Sequence, residues 1–144
     1  MKRIISLFLV FVICLSMCAC ENSAKNNDKG KIESALKAAW INDTQLPDSP
    51  YTVSMVYIFD DGVASGGVDV FLGEGENLTV TRAYGSYEIL DEEIVINWTS
   101  IDNQIKDIPL LPDSKLPYVY ENDILELYSR DGNSKLVRQD IGIN

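Results

Sequence analysis

Histidine is absent from all 144 residues. The side chain that titrates closest to neutral pH is therefore missing. With it go the Ser-His and Cys-His pairs of nucleophilic catalysis and the usual zinc ligand sets. Cysteine is scarce: Cys14, Cys18 and Cys20 are the three, and all precede Glu21. The rest of the chain has no thiol and no means of forming a disulfide. Basic side chains are few as well, 12 against 22 acids, for a net charge of −10. Affinity for phosphate comes mainly from Lys and Arg, so this balance argues against nucleic acid as a partner. No internal repeat is visible, which excludes solenoids and coiled coils. What is present is 46% apolar residues, too many for a disordered chain, in a length that suits one domain.

The chain opens with Lys2 and Arg3, followed by an apolar run from Ile4 to Met17. Fourteen residues fall short of the ~20 that a helix needs to cross a bilayer, but fit the apolar region of a secretory signal. Met17-Cys18-Ala19-Cys20 then places a small residue directly before a cysteine, and the sequence turns polar at Glu21. This pattern resembles the lipobox of bacterial lipoprotein signal peptides, whose cysteine is lipidated and becomes the mature N-terminus. Cys20, behind Ala19, fits better than Cys18, behind the bulkier Met17; the alternative is an ordinary secretory signal cleaved nearby. The expected organisation is a leader over 1–19, a lipid anchor and tether over 20–31, and one domain over 32–144. The resemblance implies a diacylglyceryl group on Cys20, membrane attachment through it, and residence on the extracytoplasmic face of a bacterial cell membrane. Loss of the leader would leave 22 acids against 10 bases. The tether, polar and rich in Asn and Lys, would reach ~18 Å.

Beyond it, Ile32, Ala35, Leu36, Ala39 and Trp40 form the stripe of an amphipathic helix and predict one over residues 31–41. Asn42-Asp43, Pro47 and Pro50 would end it. From Tyr51 the period changes to two: Tyr51, Val53, Met55, Tyr57 and Phe59 share one face of a strand that stops at Asp60-Asp61-Gly62. Further strands are predicted over 68–72, 78–83, 85–90, 94–99, 105–110, 118–121, 124–129 and 135–139, most starting 8–12 residues after the one before. The expected class is mostly β, an antiparallel meander closing into a small barrel or a sandwich, with one short N-terminal helix.

Four stretches recur in a recognisable order: Leu36-Lys37-Ala38-Ala39-Trp40, Phe59-Asp60-Asp61-Gly62, Gly85-Ser86-Tyr87-Glu88-Ile89 and Asp123-Ile124-Leu125-Glu126-Leu127. A closing Leu136-Val137-Arg138 follows. Together they resemble small bacterial lipoproteins with lipocalin-like (calycin-like) domains. The resemblance implies a β-barrel and carries over no functional residues.

Catalytic chemistry finds little foothold. Ser114-Lys115 and Ser134-Lys135 sit in turns, without the spacing of a Ser-Lys pair. Asp60-Asp61, Asp91-Glu92-Glu93 and Glu121/Asp123 also fall at turns, where Asp serves the local backbone. Asp131-Gly132-Asn133 and Asp60-Asp61-Gly62 are fragments of a calcium loop without the distal Glu. No catalytic residue, metal site or cofactor is expected. Aromatic side chains supply broad contact area with a polar tip, and in strands they also fill cores. Trp98, Tyr118, Tyr120 and Tyr57 are the candidates for ligand contact, should the barrel hold a pocket. The expected function is a non-catalytic binding module for a small apolar ligand or a protein. Two alternatives stand beside it: a surface inhibitor or decoy for basic host proteins such as lysozyme or cationic peptides, and a carboxylate-based glycosidase.

Overall fold

The computed structural model describes residues 28–72, 76–105 and 110–141. The leader and Cys20 lie outside the described residues, as does the tether as far as residue 27. The chain divides into two compact units, Met1–Ile32 and Glu33–Asn144. The second is described here.

Its strands are β1 (Ala39–Gln45), β2 (Thr52–Asp60), β3 (Val63–Phe71), β4 (Asn77–Ile89), β5 (Glu93–Asn103), β6 (Lys115–Glu121), β7 (Ile124–Leu127) and β8 (Val137–Gln139). They form one sheet in the order β7-β6-β5-β4-β3-β2-β1-β8, with every neighbouring pair antiparallel. The two edges of that sheet are β7 and β8, and they meet: Leu136 N–H donates to the Leu127 carbonyl at 2.8 Å, and Tyr128 bridges to Lys135. The result is a nearly closed, eight-stranded up-and-down barrel, the architecture that removes most sheet edges.

Short turns gather at one end. Asp61 and Gly62 both have positive φ (40° and 81°), as do Asn122 and Asp123 (52° and 62°). Each pair joins adjacent strands directly, Asp60 facing Val63 and Glu121 facing Ile124. Two left-handed residues in a two-residue loop make the type I′ turn, whose twist matches that of the flanking strands. A helix over residues 28–36 precedes β1, and residues 33–36 of it belong to this unit. Its last turn is tied down by Trp40, whose indole N–H donates to the Leu36 carbonyl at 3.0 Å. The longer connections (β1–β2, β3–β4, β5–β6 and β7–β8) lie at the opposite, loop end.

Several elements differ from the sequence reading. The helix ends at residue 36, and Ala39–Gln45 is a strand, because the barrel offers β1 two neighbours: Trp40 pairs with Tyr57 on β2 and Arg138 on β8. Those ladders outweigh a helical stripe only about two turns long. Residues 28–31, expected in the tether, are helical. The strand expected over 68–72 begins at Val63. The strands expected over 78–83 and 85–90 are one, Asn77–Ile89. Gly85 does not break it; the register instead shifts between Tyr84 and Gly85, where β5 bulges. Of the strand expected over 105–110, Ile105 and Leu110 lie outside any strand, and 106–109 are outside the described residues.

Inward positions alternate along the strands and are buried, joined by Leu36 of the helix and Leu136 of the β7–β8 connection. Trp40, Tyr57, Phe59, Leu36, Ile94, Leu116, Leu127, Leu136, Val68, Val80 and Thr81 are all fully buried. Near the turn end Phe59 meets Tyr87 edge to face, with ring centroids 5.1 Å apart.

Candidate functional site

Two of the four candidate aromatics converge inside the barrel. Tyr57 on β2 stands opposite Gly66 on β3, and Trp98 on β5 stands opposite Gly85 on β4. The Trp98 ring lies against Gly66: a Cβ there would sit 2.7 Å from its Cη2 and 3.3 Å from Pro112 Cγ. That close approach explains a glycine inside a central strand. Residues 110–113, from the β5–β6 connection, close over this layer from the loop end. Thr81 Oγ1 donates to the Leu110 carbonyl at 2.6 Å, and Asp113 N–H donates to the Tyr57 hydroxyl at 2.9 Å. The segment thus acts as a plug, held by one hydrogen bond accepted from Thr81 and one donated to Tyr57. Trp98 Nε1 is buried and has no hydrogen-bond partner among the described residues.

The other two candidates are elsewhere. Tyr118 and Tyr120 lie on β6 toward the turn end, with their hydroxyls donating to the Leu90 carbonyl (2.7 Å) and to Asp123 Oδ1 (3.0 Å). The four aromatics therefore line no common space; Tyr57 and Trp98 share one layer, and Tyr118 and Tyr120 share another region.

Titration behaviour fits a core role for the phenols. Burial pushes Tyr57 far above its ordinary range, the nearby Asp113 carboxylate adds to the rise, and the Asp113 N–H opposes it. Burial likewise raises Tyr118, with Asp91 adding to it. Such phenols stay protonated and are poor bases near neutral pH. Among carboxylates, Asp131 is pushed down to about 2 by its hydrogen bonds from Ser129 and Asn133. Glu126 is lowered by Lys135 and Tyr128. Both shifts run opposite to what a general acid in glycoside cleavage requires. Among the described residues no group of three His, Cys, Asp or Glu side chains could hold a metal ion, and no helix is long and apolar enough to cross a membrane.

Five exposed apolar side chains gather at the loop-end rim. Leu46 and Tyr51 close the β1–β2 connection, where Leu46 N–H donates to the Tyr51 carbonyl at 3.0 Å. Phe71 and Leu72 end β3, and Leu78 on β4 faces Val70. All five side chains are exposed. Phe71 pairs with Thr52, the residue after Tyr51, so the two hairpin tips lie side by side and present one apolar lip.

A concavity of about 240 Å³ lies on the outer wall between Val56, Ile58 and Tyr84. Its floor is Gly67, over which the Arg82 guanidinium lies so closely that a Cβ would be 2.4 Å from Nη1. Arg82 Nη1 is 2.8 Å from Asp69 Oδ1, off the hydrogen-bonding direction, while Nη2 donates to Asp69 Oδ2 (3.3 Å) and Thr79 Oγ1 (3.0 Å). The sequence reading missed this pair; Gly66-Gly67 within an apolar strand was the available signal.

The chain matches no protein-family model and no curated protein. The functional reading accordingly rests on geometry and composition.

Proposed function

We propose that the protein is a membrane-anchored, non-catalytic, extracytoplasmic binding module of lipocalin-like form, which docks a protein partner on its loop-end rim. The anchor is supported by the lipobox-like Met17-Cys18-Ala19-Cys20, with Cys20 carrying the lipid. The observation that carries the binding half is that the inward-facing side chains are buried while Leu46, Tyr51, Phe71, Leu72 and Leu78 remain exposed at one lip. Clustered exposed apolar side chains on a domain whose core is already filled mark a contact surface. A small apolar ligand would instead have to displace the plug over Tyr57 and Trp98, so the protein version is preferred.

The test uses a photo-crosslinking side chain introduced in the full chain at Phe71 or Leu72, with the exposed β4 position Glu88 as control. A discrete protein adduct at the rim positions and none at Glu88 supports the reading. Equal labelling at all three, or none at any, overturns it. Replacing Cys20 by Ala should move the chain from the membrane to the soluble fraction; continued membrane retention would remove the anchor.

A second reading, a decoy for basic proteins, is favoured by one feature: Asp43, Asp48, Glu76, Asp102 and Asp131 are all exposed on the loop-end halves of the strands and their connections. Such a field steers cationic partners, and their binding would weaken steeply as salt rises.

A further inference from the structure

The dipeptide Asp-Gly occurs twice, as Asp61-Gly62 and Asp131-Gly132, each at the tip of a hairpin. It carries a latent reaction in any chain, because glycine has no Cβ to shield its amide nitrogen from the neighbouring carboxyl carbon. The glycine nitrogen attacks Cγ of the aspartic acid, the carboxyl hydroxyl leaves as water with the amide proton, and a five-membered imide closes. Water then opens the ring. Attack at the side-chain carbonyl restores aspartate, and attack at the main-chain carbonyl leaves isoaspartate, whose backbone runs through Cβ and Cγ. The water lost in closure is regained in opening, so no oxidant or co-reactant is consumed and the mass is unchanged.

The two sites share their residues and differ in their surroundings. At Asp131 both reacting groups are held. Its carboxylate accepts from the Ser129 hydroxyl, from Asn133 N–H and from Asn133 Nδ2, while Gly132 N–H donates to the Ser129 carbonyl at 2.7 Å. Those bonds keep the carboxyl ionised, the form that gives up its oxygen less readily. At Asp61 the carboxylate is hydrogen-bonded, among the described residues, by the Lys37 ammonium alone. The Asp61 side chain is 79% exposed, and Gly62 N–H donates to no acceptor among the described residues. Asp61 also has a positive φ of 40°, a conformation that costs a residue with a Cβ and that an added main-chain carbon relieves.

We infer that Asp61 is a site of spontaneous isoaspartate formation, and that the bonds around Asp131 and Gly132 spare the second occurrence of the same dipeptide. The inference stands apart from the protein-binding reading. Its consequence follows from what meets at this turn. Lys37, just past the helix, reaches Asp61 and also Asp60 at 3.7 Å, and the Gly62 carbonyl accepts from Tyr87 N–H on β4 at 3.2 Å. A carbon added to the main chain ends the two-residue loop, moves the carboxylate off Lys37 and shifts Gly62 away from Tyr87. The rim lies at the other end of the barrel, so conversion loosens the turn end and leaves the apolar lip in place.

The test keeps the full chain for several weeks in heavy-oxygen water near neutral pH, beside a sample unfolded in urea. Each ring opening adds one heavy oxygen, and main-chain fragmentation in a mass spectrometer tells isoaspartate from aspartate. Trypsin separates the two sites, because Asp61 falls between Lys37 and Arg82 and Asp131 between Arg130 and Lys135. In the folded chain, isoaspartate at Asp61 should exceed that at Asp131 by at least about tenfold, as two hydrogen bonds of ordinary net strength would provide. In urea the two sites should convert alike. Asp61→Glu keeps a carboxylate facing Lys37 but requires a six-membered ring, so the label at this turn should vanish. Ser129→Ala removes one bond to Asp131 and should raise conversion there at least about threefold. The Tyr87 amide should exchange faster in the converted fraction than in the parent. Equal conversion at both sites of the folded chain, or conversion at Asp131 alone, overturns the inference. So does a folded chain that leaves Asp61 unconverted while the unfolded chain converts. Ser129→Ala without effect on Asp131 overturns the protection assigned to its bonds.

Discussion

Three glycines of β3 and β4 show how single atoms fix the barrel wall, and they differ in what they would strike. A Cβ on Gly85 would lie 2.0 Å from the Asn97 carbonyl oxygen and 2.9 Å from Trp98 Cα, both backbone. At Gly66 and Gly67 the obstacles are mostly side-chain atoms, of Trp98, Pro112 and Arg82. Backbone at a paired strand cannot step aside, so Gly85→Ala should cost about 2–3 kcal/mol, near the top of the range for overpacking. Gly67→Ala should cost less, because the partly exposed Arg82 can move off its floor. Urea unfolding midpoints of the two variants check the order; a Gly67→Ala variant weaker than Gly85→Ala would contradict it.

Tyr57 poses a different question, since its ring and its hydroxyl do separate things. The ring is core; the hydroxyl accepts the Asp113 N–H at the plug. Tyr57→Phe keeps the ring and leaves a partly buried N–H without its acceptor. A loss of about 1–2 kcal/mol is expected, with the largest gain in hydrogen exchange localised to residues 110–114. Exchange rising evenly over the whole barrel would mean that the plug does not depend on this bond.

At the scale of elements, the β7–β8 hairpin makes a prediction about pH. Asp131 at its tip accepts from the Ser129 hydroxyl, from Asn133 N–H at 3.1 Å and from Asn133 Nδ2 at 2.9 Å, and these bonds depress it from 3.8 to about 2. A carboxyl lower in the folded than in the unfolded chain stabilises the fold above its unfolded pKa. That contribution fades as pH falls from about 4 through 2. Asp131→Asn should therefore unfold more easily than the parent near neutral pH, and the gap should close across that window. Midpoints at successive pH values test this; a gap that widens in acid would have the wrong sign.

The same scale shows what the sequence could and could not disclose. Strands with one buried face were legible wherever apolar and polar residues alternate, as in Tyr57 and Phe59 or Ile94 and Ile96. Asp61-Gly62 was legible as a turn because left-handed backbone favours those residue types. β1 was not. Ala39-Trp40-Ile41 satisfies a helical stripe as well as a strand, and the choice is made by β2 and β8, which are distant in sequence. The strands expected over 78–83 and 85–90 are one, because the irregularity beside Gly85 falls in β5, across the ladder. Of the candidate site, Tyr57 and Trp98 were legible as inward aromatics. The plug and the Arg82–Asp69 pair were not, since each arises from register or from how the ring closes.

For the molecule as a whole, electrostatics set two salt responses of opposite sign. The net charge is −10, and Lys37, Arg82, Lys115, Lys135 and Arg138 each already sit beside an acid. The remaining acids therefore repel one another across a compact surface. Raising ionic strength from ~0.01 to ~0.15 M shortens the screening length from ~30 to ~8 Å, which relieves that repulsion. It also weakens the exposed pairs, but those are individually feeble in water, and 22 acids stand against 12 bases. The melting temperature should thus rise over this range, and a fall would show that local ion pairs dominate. Binding of a basic partner should respond in the opposite direction, because the same screening removes its attraction to the acidic loop end. Docking through the apolar rim should be nearly indifferent to salt. Measuring stability and affinity in one salt series therefore separates the readings: falling affinity beside rising stability favours the decoy, and flat affinity beside rising stability favours the rim.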